Sequence, residues 1–183
     1  MTECGATINK NGMNAPAQAQ PAYYEHHMIT FVSGDIFRST EQYIAQGVAE
    51  GNQEGLGTGL ALKISRRWPA AQSAFKRHCR SGMFTGGSLW AFPPTEHSPG
   101  IIYLATQPNM YRATLPYLRK ALRRLATWTE MNAVSSVALP KIAAGLGKLS
   151  WLNEVRPLLI KSLQDAECSF VVYEQFDRHM EEN

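Results

Sequence analysis

The sequence is poor in cysteine, in charge and in long apolar runs, and each shortage excludes a class of protein. Its three cysteines, Cys4, Cys79 and Cys168, are odd in number and lack metal-ligand spacing, so we expect reduced thiols, a cytoplasmic protein and no metal site. Charged residues make up 18% of the chain, below the roughly 25% of ordinary globular domains, which excludes a disordered polyelectrolyte. No apolar run approaches the roughly 18 residues of a membrane-spanning helix, so no membrane partner is expected.

The composition is that of a polar leader followed by one globular domain. The chain has 183 residues, of which 44% are hydrophobic, and this predicts a single core. Residues 1–27 are polar and proline-bearing without an apolar period, so we expect a disordered leader followed by one domain over residues 28–183. His26 and His27 are adjacent in an extended segment and would point in opposite directions, which argues against a metal site there. The net charge of +3 is compatible with a small anionic ligand. We expect a monomer without a cofactor.

From Met28 onward, short runs rich in β-forming residues alternate with helical patterns. Strands are predicted over residues 29–33, 42–48, 88–92, 101–106, 134–139 and 170–173, with a hairpin between the third and the fourth. Helices are predicted from Leu60 to the residue before Pro69, from Pro69 onward, over residues 113–128 and over residues 151–163. Strands and helices that alternate in this way predict an α/β domain with a mixed sheet covered on both faces.

Two loops with little side-chain bulk precede helices. The first glycine loop, residues 50–59, has the sequence E-G-N-Q-E-G-L-G-T-G, and the second glycine loop, residues 143–147, has the sequence A-A-G-L-G. Glycines let a ligand approach the backbone closely, and amides at a helix start suit phosphate. Either loop alone would be read as a tight connection, but two such loops in one sheet favour an anionic ligand.

Three familiar motifs are absent, so the spacing of the glycines does not name the ligand. The chain has no G-x-x-x-x-G-K-[ST] phosphate loop and no G-x-S-x-G nucleophile elbow. Gly55, Gly57 and Gly59 are spaced G-x-G-x-G and are followed by Leu60, which departs from the dinucleotide-binding pattern G-x-G-x-x-G.

Four segments together resemble the macrodomain family. They are V-S-G-D-I-F at residues 32–37, L-G-T-G-L-A at 56–61, Y-L-A-T at 103–106 and L-P-K-I-A-A-G-L-G-K-L-S-W at 139–151. The resemblance is to the terminal ADP-ribose protein glycohydrolase class, which includes antitoxin macrodomains that reverse DNA ADP-ribosylation. It covers residues from about Met28 to Tyr173. The last string is fairly specific, whereas the V-x-G-D opening is weaker alone.

The resemblance implies a three-layer α/β/α macrodomain that binds ADP-ribose, free or on a modified macromolecule, across the crest of its sheet. Asp35 would accept a hydrogen bond from the adenine amine, although a turn or cap role is the alternative. The first glycine loop would hold the diphosphate, and the second would close over the diphosphate and the distal ribose. Tyr173 or Phe176 would pack on adenine, although Tyr173 is equally compatible with the core. The implied ligand-binding residues are Asp35, Ile36, Gly57, Thr58, Gly59, Leu60, Thr106, Gln107, Ala144, Gly145, Leu146, Gly147, Tyr173 and Phe176.

Two departures from the family concern the chemistry. In the glycohydrolase class, a lysine that follows the Y-L-A-T strand attacks the distal ribose, and here that place is Gln107. An aspartate in the second loop resolves the adduct, and here that place is Gly147. Glutamine forms no imine-type adduct and glycine is neither acid nor base, so the covalent mechanism is expected to be lost.

Two other readings stay open. One is a hydrolase that uses water to remove ADP-ribose from protein or nucleic acid or to process ADP-ribose 1''-phosphate. Its candidates in the first loop are Glu50, Asn52, Gln53 and Glu54, which are otherwise solvated loop residues, and Gln107 is a further weak candidate. The other is a module that contacts nucleic acid through basic helix faces. Its candidate clusters are Arg66 with Arg67, residues 76–80, and the cations of residues 119–124.

Overall fold

The computed structural model describes residues 28–51 and 59–175, which form a sheet of six strands between helices. The strands are β1 (Ile29–Ser33), β2 (Tyr43–Ala49), β3 (Leu89–Phe92), β4 (Gly100–Gln107), β5 (Ser136–Pro140) and β6 (Ser169–Gln175). The helices are α1 (Gly59–Arg67), α2 (Pro69–Cys79), α3 (Leu115–Met131) and α4 (Arg156–Leu163), with a 3-10 turn over Ile36–Arg38 and a π-helical segment over Trp151–Val155. The expected leader, residues 1–27, lies outside the described residues.

The sheet has the order β1-β6-β5-β2-β4-β3 and is mixed, as the sequence predicts. All neighbouring strands are parallel except β3, which pairs antiparallel with β4 and places Leu89 opposite Leu104. This pair is the expected hairpin. The parallel strands end together at one edge of the sheet, where their loops lead toward helices.

Both faces of the sheet are covered, and alternating residues of β4 show the two layers. Ile102 and Leu104 pack in the core cluster that contains Leu118 and Leu122 of α3, whereas Ile101 and Tyr103 pack in the cluster of α1 and α2. In the second cluster, Phe75 stacks on Tyr103 with 4.0 Å between ring centroids. Burial on both faces explains why the central strands are nearly continuous apolar runs. The three-layer α/β/α fold is confirmed.

The helix expected over residues 151–163 is divided. A π-helical segment over Trp151–Val155 precedes the α-helix that starts at Arg156. Pro157, in the first turn of α4, has no N–H to donate to the preceding turn, so a regular α-helix does not continue through it. The segment still begins with reciprocal capping, because the Ser150 hydroxyl accepts from the Asn153 amide at 3.4 Å and Glu154 accepts from the Ser150 amide at 2.7 Å.

The two cysteines in the described part of the chain, Cys79 and Cys168, are buried and free. Burial raises the pKa of both thiols, that of Cys168 to about 12, so neither is an activated nucleophile. Over the described ranges, the structure contains no helix that is both long enough and apolar enough to cross a membrane.

One carboxylate ties the end of β2 to two distant elements. Glu50 accepts a hydrogen bond from the Tyr117 hydroxyl of α3 at 3.1 Å and another from the Gly86 amide at 2.7 Å. Its own amide donates to the Gln107 carbonyl at 2.9 Å. Gly86 has no room for a side chain because the Tyr117 ring lies against it. The start of the first glycine loop is therefore fixed against α3 and against the turn before β3.

We expect Tyr117→Phe to lower the melting temperature at neutral pH, because it removes the hydroxyl that donates to Glu50 and keeps the ring on Gly86. The hydrogen bond to Glu50 raises the pKa of Tyr117 above its ordinary 10.0. This contribution to stability is full below pH 10 and is lost as the pH rises through the higher pKa of the folded state. The difference between wild type and variant should therefore narrow in alkaline solution.

Thermal unfolding followed by circular dichroism from pH 7 to pH 11 measures this difference. Tyr111→Phe is the matched control, since the side chain of Tyr111 is 76% exposed. Equal melting temperatures of wild type and Tyr117→Phe at pH 7, or a difference that is constant with pH, would contradict the role of this bond.

Candidate functional site

A crevice of about 480 Å³ opens at the edge of the sheet where β2, β4 and β5 end. This is the edge at which open α/β sheets bind ligands, and the volume falls in the roughly 300–1,000 Å³ range of small-molecule sites. Its described lining residues are Gln46, Gly47, Val48, Ala49, Gly59, Leu60, Ala61, Gln107, Met110, Pro140, Lys141, Ile142, Ala143, Ala144, Gly145, Leu146, Gly147 and Trp151.

Seven of the residues that the sequence assigns to ligand binding line this crevice. They are Gly59, Leu60, Gln107, Ala144, Gly145, Leu146 and Gly147. Both glycine loops thus reach one cavity. Gly57, Thr58 and Phe176, as well as the candidate catalytic residues Asn52, Gln53 and Glu54, lie outside the described residues, so their assignments stay predictions.

Where the structure describes both loops, they meet at the side chain of Leu146. Gly59 begins α1 with φ at +54°, in the left-handed region that favours glycine. The Cδ1 atom of Leu146 lies 3.4 Å from the position that a Gly59 side chain would occupy. Leu146 is nevertheless 61% exposed, so it covers the crevice without belonging to the core. The first residues of α1, Gly59, Leu60 and Ala61, line the crevice, and the free amides of a helix start are suited to an anion.

The glycines of the second loop serve other purposes than bending the chain. The positive φ angles fall on Ala143 (+61°) and Lys148 (+60°). Gly145 has nothing within 4 Å of where a Cβ would lie, so its contribution is access to the backbone. A Cβ on Gly147 would collide with the Ala143 carbonyl and lie 2.8 Å from the Ala113 Cβ. Gly147 is therefore a packing residue, and an aspartate has no room there.

Asp35 and Tyr173 lie together beside the crevice, at the ends of β1 and β6. Asp35 accepts from the Phe37 amide at 2.9 Å and caps the 3-10 turn, which is the structural role that the sequence left open. The Tyr173 ring lies 3.8 Å from the position of a Gly34 side chain. Burial raises the pKa of Tyr173, as do, to a lesser extent, Glu41 and Asp35. A half-buried ring beside a carboxylate is suited to a flat base with an amine.

Two expected ligand contacts have buried side chains. Ile36 is 7% exposed and packs in the core with Ile44, and Thr106 is fully buried against Gly47. Neither residue lines the crevice. Their assignment to ligand binding stays a prediction, and it would be met mainly by their backbone groups, because their side chains pack against the sheet.

Of the two candidate catalytic residues that the structure describes, one lines the crevice and the other does not. Gln107 lines the crevice, but the Glu50 carboxylate is engaged by Tyr117 and Gly86 and does not line it. Among the described lining residues, Lys141 is the one charged side chain, and none is a carboxylate. Over residues 28–51 and 59–175, no group of three His, Cys, Asp or Glu residues is placed to hold a metal.

Sequence reasoning missed several residues that line the crevice. The sequence feature that could have identified them differs from one residue to the next. Lys141 and Trp151 belong to the 139–151 string but received no role; the Trp151 indole donates to Glu174 at 2.7 Å, which orients its ring. Gln46 is 2% exposed in the interior of β2, so its pattern indicated only a strand. Met110 follows β4 in a loop without a recognisable motif.

The basic clusters do not form one continuous track. The cations of α3 surround a separate cavity of about 590 Å³, whose apolar lining includes Leu89, Trp128 and Met131. Arg66, Arg67 and residues 76–80 belong to α1, α2 and the residue after it, in the layer on the opposite face of the sheet. Nucleic-acid binding through these helix faces therefore has no single positively charged surface to support it.

Comparison with known proteins finds two kinds of relative, DNA ADP-ribosyl glycohydrolases and ADP-ribose glycohydrolases. No family model matches the chain. The DNA ADP-ribosyl glycohydrolase of Mycobacterium tuberculosis is 30% identical over 152 residues, which are 80% of this chain and 42% of that protein. The Thermus aquaticus protein of the same name is 26% identical and is covered to 39%. The chain thus spans about two fifths of these relatives. Human ADP-ribose glycohydrolase OARD1 is 23% identical, and 93% of its length is covered.

Solved structures share the whole fold. The macrodomain of Mycobacterium tuberculosis DarG superposes with a TM-score of 0.72 at 28% identity, over 79% of this chain and 96% of that chain. Thermosipho africanus DarTG, solved in complex with ADP-ribose, superposes with a TM-score of 0.71 at 21% identity, over 82% of this chain and 42% of that chain. The sheet order and these similarities show that the chain has the macrodomain fold. It is similar to the DNA ADP-ribosyl glycohydrolases over the part of them that it spans.

Proposed function

We propose that this macrodomain binds ADP-ribose, free or attached to a macromolecule, with little or no turnover. The observation that carries the proposal is the joining of both glycine loops over one crevice that contains no carboxylate among its described lining residues. The similarity to glycohydrolases of ADP-ribosylated DNA supports the ligand class. The lack of a carboxylate among the described lining residues supports little or no catalysis.

The diphosphate has a site suited to its charge. The N-terminus of α1 at Gly59 supplies amides from one side, and the exposed backbone of Gly145 supplies access from the other. Lys141 adds a positive charge at the rim. Because these groups are backbone amides and one cation, they favour a diphosphate over a neutral ligand.

The base would lie toward the ends of β1 and β6. Asp35 has a second carboxylate oxygen besides the Oδ1 that caps Phe37, and Tyr173 offers a ring face beside it. An adenine amine donates to a carboxylate, whereas the carbonyl of guanine would be repelled by one. This arrangement favours adenine.

The covalent route lacks both of its residues. A glutamine amide at position 107 is not a nucleophile, and position 147 has no room for the carboxylate that would resolve an adduct. Glu50 is held away from the crevice by two hydrogen bonds. Hydrolysis would therefore need a water-positioning group from residues 52–54, which is the second candidate function and is favoured by the names of the relatives.

We expect ADP-ribose to bind with micromolar affinity and AMP much more weakly, because AMP lacks the diphosphate and the distal ribose that both loops would contact. Gly145→Val should weaken ADP-ribose binding at least about tenfold without a change in melting temperature, since the added side chain enters open space at the crevice. Isothermal titration calorimetry measures the affinities. Ala70→Val, at an exposed position of α2, is the matched control. Equal affinity for AMP and ADP-ribose would refute the proposal.

Asp35→Asn and Asp35→Ala separate binding from capping. Asparagine keeps an oxygen for the Phe37 amide but turns an amine toward the adenine amine, so we expect retained stability and an affinity loss of about 1–3 kcal/mol. Alanine should show the same affinity loss and a further loss of stability of about 0.5–2 kcal/mol from the missing cap. Calorimetric titration and urea unfolding give the two quantities. Wild-type affinity in the Asp35→Asn variant would disprove the contact with adenine.

Incubation with ADP-ribose should leave the wild-type protein without a covalent adduct, whereas Gln107→Lys should form one, because its amine reaches the crevice that Gln107 lines. Intact-mass spectrometry after borohydride reduction detects the adduct. Adding Gly147→Asp should lower the melting temperature and not speed release, because the Cβ collides with the Ala143 carbonyl. Release of ADP-ribose from modified DNA by the wild-type protein at the rate of a glycohydrolase would favour the second candidate function.

A further inference from the structure

The second cavity, of about 590 Å³, is a groove along the exposed face of α3, which we call the α3 groove. Its lining runs along α3 from Pro116 to Met131, a length of about 22 Å at the rise of an α-helix. Leu89 of the edge strand β3 lines its other side. The α3 groove and the crevice have no described lining residue in common. A groove of this length corresponds to about four turns of a helix laid beside α3.

The C-terminal half of the α3 groove is apolar, and its aromatic ring is held in place. Trp128 is half-buried, and its ring packs edge-on against Tyr43 of β2 with 5.2 Å between ring centroids. Met131 follows at the end of α3 and is 80% exposed. A tryptophan whose ring is fixed from behind and an exposed methionine are typical of surfaces that contact another protein.

The N-terminal half carries four exposed cations. They are Arg119, Lys120, Arg123 and Arg124. Arg119 and Arg123 are an i,i+4 pair of like charge, and Lys120 and Arg124 are another, and such pairs destabilise a helix. The one carboxylate of α3, Glu130, is beyond the reach of an i,i+4 pair with any of them. None of the four forms an ion pair with a residue of the described ranges.

Two of these cations have a structural contact and two do not. The aliphatic stem of Lys120 fills the space beside Gly87, and Arg124 donates to the Ser88 hydroxyl at 3.4 Å. Arg119 and Arg123 make neither a hydrogen bond nor an ion pair with the described residues. Their charges therefore add only repulsion to α3, and carboxylates from a partner would relieve it.

The charge and the shape of the α3 groove together select one kind of occupant. A second copy of this chain would bring the same cations to a two-fold contact and would be repelled. Nucleic acid offers phosphates to the cations but no aliphatic side chain to Leu89 and Met131. An extended segment could pair with only the four residues of β3, because Pro93 follows that strand. A helix with carboxylates beside an apolar stripe matches both halves of the groove.

We propose that the α3 groove is a docking site for an acidic amphipathic helix of a partner protein. Carboxylates of that helix contact Arg119 and Arg123, and its apolar side chains lie on Trp128 and Met131. Because the groove is separate from the crevice, the helix and ADP-ribose bind at the same time. The inference goes beyond the proposed function and does not depend on it.

The probe is a fluorescein-labelled helical peptide of about 16 residues, which is about four turns. Leucines spaced three and four residues apart form its apolar stripe, and glutamates lie on both flanks. Its controls are a scrambled peptide of the same composition, the same peptide with glutamine for glutamate, and an oligothymidylate of equal charge. Fluorescence anisotropy should show micromolar binding of the probe and at least about tenfold weaker binding of each control.

Variants assign this binding to the α3 groove. Arg119→Glu, Arg123→Glu and Met131→Ala should each weaken the probe at least about tenfold and leave the affinity for ADP-ribose unchanged. Arg119→Glu should also raise the melting temperature of the ligand-free protein by about 1–2 °C, because an attractive i,i+4 pair replaces a repulsive one. Arg77→Glu, at an exposed position of α2 in the opposite layer, makes the same change in net charge and is the matched control.

Each contrary result overturns the proposal in a recognisable way. Equal binding of the probe and the scrambled peptide, or an equal loss of binding in Arg77→Glu and Arg119→Glu, would leave only non-specific attraction between charges. Tighter binding of the oligothymidylate would favour nucleic acid, and a dimer that Met131→Ala dissociates in light scattering would favour a second copy. A lower melting temperature of Arg119→Glu would give Arg119 a structural role. Failure of the probe to bind a protein that still binds ADP-ribose would overturn the docking site and leave the proposed function intact.

Discussion

Two strands that are buried on both faces impose the arrangement of everything else. Strands β2 and β4 are neighbouring interior strands of the sheet, and β4 is buried from Gly100 to Thr106. Their side chains pack against the helices on both faces of the sheet. Their backbone hydrogen bonds are made to neighbouring strands, so the chain leaves the sheet only where the strands end. The loops that follow these strands therefore meet at one edge. A binding crevice at that edge is a consequence of how the core is covered.

Much of the fold could be predicted because two-sided burial leaves a plain signal in the sequence. The runs I-I-Y-L-A at 101–105 and V-V-Y at 171–173 are continuous and apolar, and both are strands. The start of α3 is fixed by Thr114, whose hydroxyl accepts from the Tyr117 amide. The π-helical segment was missed because its cause is a missing amide at Pro157, which sequence periodicity does not register.

The candidate site was predictable only in part, for a physical reason that differs from residue to residue. The glycine loops were visible because low side-chain bulk is a local property. The engagement of Glu50 was invisible, since its partner Tyr117 lies 67 residues further along the chain. The bends of the second loop fall on Ala143 and Lys148, for which no composition rule favours a positive φ. Gly147, in turn, was read as a lost carboxylate, whereas the structure shows that it is also a packing requirement.

The side chain of Leu146 has a consequence for how quickly a ligand could exchange. Among the described residues of the two loops, it is the side chain that lies against Gly59, and it is 61% exposed. Exposed side chains change rotamer within picoseconds to nanoseconds, whereas loops move over nanoseconds to microseconds. Rotation of this one leucine therefore breaks the described contact between the second loop and the start of α1 without movement of the backbone. A ligand that passes between Leu146 and Gly59 would then wait for a side-chain rotation and not for a slower movement of the loop.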